Sequence, residues 1–288
     1  MIRRAFYAIA AIVVLTVMAA AQGKPEYLDA FIVKVKPEKR SDFDAAAKKI
    51  ANANRANNGD RWIALETMYG EGNTVTFIST REGYSDIDKG MQAFEQSLAK
   101  GLGTAGMQKV FQDFSNTTVS SRSEIRMRRW DLSAAAPGDA AGRAKLVGES
   151  RFLRTTMVHV KPGHQLEFEE LVKTVKAAAE KANPPQTILV SVSAAGTSGG
   201  VYYITSLQKS IADFDKVIPL PQLLGADGFQ NFQKAVAEHV EHAEVVINRF
   251  LPELSNPPEE VASVAPDFWH PKPAAAPAAR KKPAAKTQ

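Results

Sequence analysis

The chain has 288 residues and no cysteine, with 36 Lys and Arg against 31 Asp and Glu, a formal net charge of +5 and a pI near 9.2. The basic surplus sits at the ends: once Arg3, Arg4 and the five basic residues of 271–288 are set aside, 29 basic residues face 31 acidic ones. This excludes a basic body that grips nucleic acid, a disulfide framework and a thiol nucleophile.

Arg3 and Arg4 precede an apolar run from Ala5 to Ala21, with small residues Ala19 and Ala21 at its end. A positive start, a short apolar core and that small-residue pair predict a signal peptide at 1–21 and an exported mature chain, periplasmic or secreted, from Gln22. The run is marginal for the roughly 20 apolar residues of a bilayer span, so no transmembrane span is expected after cleavage. At the other end, Pro271 to Gln288 is almost wholly Pro, Ala, Lys and Arg. Too little apolar surface is present to offset the entropy of ordering it. The stretch 256–288 is therefore assigned to a disordered tail whose cations can contact anionic surfaces.

Between these ends, Phe31, Val33 and Val35 alternate with Ile32 and Lys34 until Pro37, which predicts a first strand. Phe43, Ala47, Ile50 and Asn54 follow at helical spacing. Trp62 to Tyr69 and Val75 to Ser79 read as a strand pair around Gly70-Glu71-Gly72, a helical stretch broken at LGTAG follows, and Glu124 to Trp130 reads as a fourth strand. The sequence then repeats itself. VKVKPEKRSDF at 33–43 returns as VHVKPGHQLEF at 158–168, and LGTAGMQ at 102–108 as LGADGFQ at 224–230. Glu124-Ile125 and Arg129-Trp130 are answered by Glu244-Val245 and Arg249-Phe250. Ordered echoes at a near-constant offset indicate duplication. Two units are predicted, at 22–133 and 151–255, joined by a small-residue linker at 134–150.

Each unit reads β-α-β-β-α-β, the ferredoxin-like split βαβ order, which makes the fold class α+β. Such a sheet carries both helices on one face and leaves the other bare, so it must be covered. On this topology and duplication, over residues 27–133 and 151–255, the chain resembles the dimeric α/β-barrel superfamily, to which the antibiotic-biosynthesis monooxygenases belong. No catalytic motif of that family is matched letter for letter. The resemblance implies that two tandem ferredoxin-like repeats pack sheet to sheet as an intrachain α/β barrel around a cavity. It also implies an oxygenase that needs no metal or flavin, in which a polar group and aromatic walls position an electron-rich substrate.

Strand parity nominates the cavity residues. With Val33, Val35, Val158 and Val160 facing the helices, Lys34 and His159 point into the barrel from equivalent places. Ile63, Leu65 and Thr67 are aligned with Ile188, Val190 and Val192, which matches Glu66 with Ser191 and predicts an internal Lys34–Glu66 ion pair. Trp62, Tyr202 and Tyr203 are candidate aromatic walls. The ligand-binding candidates are thus Lys34, Trp62, Glu66, His159, Tyr202 and Tyr203, and the catalytic residues are not identified. All five histidines lie at or beyond residue 159. Tandem barrels of the chlorite-dismutase and dye-decolourising-peroxidase type bind haem through a histidine of one copy, so this asymmetry makes haem the alternative cofactor where none is otherwise predicted. His239 and His242 have metal-chelating spacing, but the sequence places no third ligand with them. No G-x-S-x-G and no P-loop occurs. The sequence therefore predicts a protein that binds a small, partly apolar molecule between its halves. The alternatives are a cofactor-independent monooxygenase, a haem-binding barrel and a structural or partner-binding module.

Overall fold

Valines at alternate positions and a helix with one apolar face set the layers of each half. In the computed structural model, which describes residues 25–271, the first half runs β1 (Tyr27–Val35), α1 (Arg40–Ala56), β2 (Ile63–Tyr69), β3 (Thr74–Arg81), α2 (Tyr84–Asn116) and β4 (Thr118–Arg128). After α3 (Ala140–Glu149) the second half runs β5 (Phe152–Val160), α4 (Gln165–Lys181), β6 (Leu189–Ala195), β7 (Val201–Gln208), α5 (Leu220–His239) and β8 (Val240–Phe250). The order within the sheets is β4-β1-β3-β2 and β8-β5-β7-β6, antiparallel throughout.

The halves join edge to edge. Leu65 lies opposite Phe250 where β2 meets β8, and Met127 opposite Val192 where β4 meets β6, so eight strands close into a barrel. Closure satisfies the edge N–H and C=O groups that an isolated half would leave open. After β4 and again after β8 the chain crosses onto the other half, through bridges of Ala134 with Ile188 and of Trp62 with Asn256.

The helices lie outside. Val33, Val35 and Val75 pack on Phe43 and Ala47 of α1, and Val158, Val160 and Val190 pack on Phe168 and Val172 of α4. The two LGxxG echoes sit at matching kinks: Gly103 and Gly225 take φ near +67° and +71°, a left-handed region that a side chain resists. Among the described residues no helix is long and apolar enough to cross a membrane.

The small-residue linker carries α3, which Asp139 caps by accepting the Gly142 N–H at 2.6 Å. One expectation needs correction: the segment from Asn256 to His270 is not a disordered tail. Two short helices, α6 (Glu259–Ala262) and α7 (Pro266–Trp269), fold back on α3 and bring Val261, Ala262 and the fully buried Trp269 against Phe250 and Ala144. The Trp269 ring meets Phe250 edge-on, and its Nε1–H donates to Gly148 O at 3.0 Å. These residues are apolar enough to order the segment, although it lies beside a Pro/Ala-rich run. Residues 1–24, which include the expected leader, and residues 272–288 lie outside the described residues.

Candidate functional site

Val33 and Val35 of β1 and Val158 and Val160 of β5 fill the helix layer, so the alternate residues of these strands face the barrel interior. Leu28 and Ile32 of β1, Leu65 and Thr67 of β2, Arg122 and Arg126 of β4, and Leu153, Thr155 and Met157 of β5 line a cavity of about 1470 Å³. One end is filled by apolar groups: Ile63, Leu65, Leu153, Leu207 and Phe250 meet Ala144, Val261 and Trp269 there. The other end is a polar rim.

Between the two ends lies a charge cluster built on a buried carboxylate. Glu124 on β4 is 3% exposed. It accepts from Arg122 Nε at 2.9 Å, from Arg126 Nε and Nη2 at 3.0 and 2.7 Å, and from the Tyr203 hydroxyl at 2.9 Å. The Arg126 guanidinium also lies 3.8 Å over the Tyr203 ring. Burial pushes the Glu124 carboxyl up, but the charge of Arg126 and the hydrogen bonds from Arg122, Arg126 and Tyr203 outweigh it and hold it below the usual range. Burial and the neighbouring carboxylate push the Tyr203 phenol up to about 12, so it is a donor at neutral pH. Removing one partner of such a buried pair typically costs about 3–5 kcal/mol. Nearby hydroxyl and amide groups are paired: Thr155 with Thr205 at 3.0 Å, and Thr67 donating to Asn248 at 2.9 Å. The second half has Val246 in the place of Glu124 and the first half has Thr76 in the place of Tyr203, as the ladders show.

The six residues nominated from sequence divide between two layers. Tyr203 lies in the cavity. Lys34 and His159 have inward parity but stand at the rim. Lys34 Nζ donates to Gly72 O at 2.6 Å and pairs with Glu71 at 3.0 Å, while His159 stacks on His242 with ring centroids 3.9 Å apart. Trp62, Glu66 and Tyr202 face the helices instead. The Trp62 Nε1–H donates to Leu254 O at 2.8 Å, and the Tyr202 hydroxyl to Glu169 at 2.8 Å. Glu66 is held by Arg40 of α1 and by Arg249, whose Nε lies 2.6 Å away. The predicted Lys34–Glu66 pair is therefore absent, because Leu65, not Glu66, faces inward.

The alignment behind that pair was one residue out. Ile63 lies opposite Ile78, and Leu189 opposite Thr205, so Ser191 answers Leu65 and Val192 answers Glu66. A one-residue slip exchanges the faces of a strand. Glu124, Arg126 and Arg122 were not nominated, although R-x-E-x-R-x-R at 122–128 puts charge on one strand face at period two.

Among the described residues no histidine lines the lumen or the cleft between α4 and α5. His164 and His239 are engaged with each other, Nδ1 to Nδ1 at 3.0 Å.

No family model and no curated protein matches this sequence. Solved structures do match. A candidate monooxygenase from Fusobacterium nucleatum is similar at 13% identity, with a TM-score of 0.50 over 80% of this chain and 94% of its own. An anthrone oxidase-like protein matches at 12% identity and a TM-score of 0.49, over 80% and 93% of the two chains. A candidate chlorite dismutase matches at 10% identity and 0.49, over 84% and 98%. At such identities the likeness concerns fold alone. The chain has the ferredoxin-like dimeric α/β-barrel fold, with both halves of the barrel in one polypeptide.

Proposed function

We propose that this protein binds a small, partly apolar molecule in the barrel lumen, with the molecule's polar end against the Arg122–Glu124–Arg126–Tyr203 cluster. The observation that carries this reading is the cluster itself: a buried carboxylate held by two guanidinium groups and a phenol, beside a cavity of about 1470 Å³ with an apolar end. Ligand pockets combine apolar walls with a few placed polar groups in this way. Two guanidinium groups against one carboxylate leave one net positive charge, so the favoured polar end is an anion or a strong acceptor. Arg126 spends Nε and Nη2 on Glu124, which leaves it a further N–H for a ligand.

The test uses anilinonaphthalene sulfonate, an apolar aromatic dye with an anionic end. Wild-type protein takes up the dye in a defined stoichiometry, and Arg126→Leu binds it about tenfold more weakly. Equal uptake by the two proteins, or none by the wild type, removes the reading. We also propose that the protein acts after export, on the strength of the leader pattern at 1–21. The intact mass of exported protein then begins at Gln22, and a retained Met1 overturns the proposal.

A further inference from the structure

A second cluster stands on the rim, apart from the lumen network. His159 of β5 lies directly opposite His242 of β8, and Glu244 follows on the same face of β8, opposite Met157. Residues paired across an antiparallel ladder, and residues two apart along one strand, share a face with Cβ atoms about 5–7 Å apart. The ladder thus gathers three donors that sequence spacing does not. One ligand atom from each of His159, His242 and Glu244 lies within 4.8 Å of the other two. His242 Nε2 is 3.8 Å from Glu244 Oε1, and the two imidazoles are stacked 17° from parallel.

We propose that His159, His242 and Glu244 bind a divalent transition-metal ion of the zinc or copper type. Two imidazole nitrogens and one carboxylate oxygen are the donor set such ions prefer, whereas magnesium and calcium select oxygen alone. Bonds of about 2.0–2.2 Å need ligand atoms roughly 3–3.5 Å apart, closer than the present spread. Side-chain rotations supply the difference, since the ladder fixes both backbones. His242 and Glu244 are exposed, so the ion enters from solvent and water completes its coordination. The pair His239 and His242, suggested by spacing along the chain, is not the chelate. His239 belongs to α5 and is engaged with His164, while His242 faces His159.

The experiment titrates the untagged, metal-free full chain with Zn²⁺ by calorimetry and with Cu²⁺ by electron paramagnetic resonance. One ion per chain is expected, with nitrogen hyperfine structure from two imidazoles in the copper spectrum. His159→Ala and His242→Ala each weaken binding about tenfold or more, and Glu244→Gln weakens it several-fold. His164→Ala and His239→Ala leave it unchanged. Circular dichroism checks that each variant folds, and the isosteric Glu244→Gln keeps the test sound if an alanine variant does not. Absence of stoichiometric binding of either ion by the wild type overturns the proposal, and so does an equal loss in His164→Ala and His159→Ala.

Discussion

Tyr203 and Glu124 come from opposite halves of the chain, 79 residues apart, and meet inside the barrel at 2.9 Å. Their hydrogen bond spans the β4–β6 seam from within. Tyr203→Phe removes one donor from a buried carboxylate and is expected to cost about 1–2 kcal/mol in urea unfolding. Glu124→Leu leaves the 13%-exposed Arg126 side chain without its carboxylate and should cost about 3 kcal/mol. If both variants unfold at the wild-type midpoint, the network contributes nothing to stability.

The same pair sets a pH dependence on the alkaline side. The Tyr203 phenol, raised from 10.0 to about 12, keeps its proton in the folded state after the unfolded chain has released it. Its contribution is therefore complete below pH 10 and is lost as pH rises towards 12. The stability gap between wild type and Tyr203→Phe should shrink across that window. Glu124 is depressed, so its contribution is present above the ordinary 4.5 and fades as pH falls below it. Glu66, Glu169 and Asp131 are also depressed and share that acid limb, so Glu124→Gln should flatten it only in part. Denaturant titrations of the three proteins across pH measure both limbs, and a gap that widens above pH 10 contradicts the assignment.

Lys34 and Glu66 should behave as strangers. The Lys34 partner is the exposed Glu71, so Lys34→Leu is expected to change stability by less than about 0.5 kcal/mol. A double-mutant cycle of Lys34 with Glu66 should show no coupling, whereas cycles of Glu66 with Arg40 and with Arg249 should each show about 1 kcal/mol. Coupling between Lys34 and Glu66 would place the carboxylate on the wrong face of β2.

Trp269 should be one of the costliest single truncations. It is fully buried, lies against Phe250 and Phe268, and holds Gly148 O, so Trp269→Ala is expected to lose about 3–5 kcal/mol. A thermal midpoint within a degree or two of wild type would mean that the 256–270 segment does not close the barrel end.

The duplication was legible because it preserved letters where geometry is demanding: valines that face a helix, a proline that ends a strand, and glycines that accept a left-handed kink. Those features led to the barrel. The lumen was less legible, for reasons of register. The first strands align at an offset of 125, but the loop before β6 is one residue longer, and that single insertion turned Glu66 inward on paper. The third echo misled in the same way. Arg129 and Arg249 match in sequence, yet Arg129 N–H bonds Val190 O while Leu251 N–H bonds Ala64 O, so Arg129 and Leu251 are the equivalent residues. The rim cluster was beyond one-dimensional reading because His159 and His242 are 83 residues apart and are brought together only by the β5–β8 ladder.

A barrel assembled from two identical chains presents every interior group twice, related by its axis. A guest with unlike ends then has two orientations of equal energy. Here Val246 replaces one copy of Glu124 and Thr76 one copy of Tyr203, so that degeneracy is lifted. Covalent fusion of the halves therefore gives the interior a polarity: its two walls differ in charge and in hydrogen-bonding groups, and either can change without altering its counterpart.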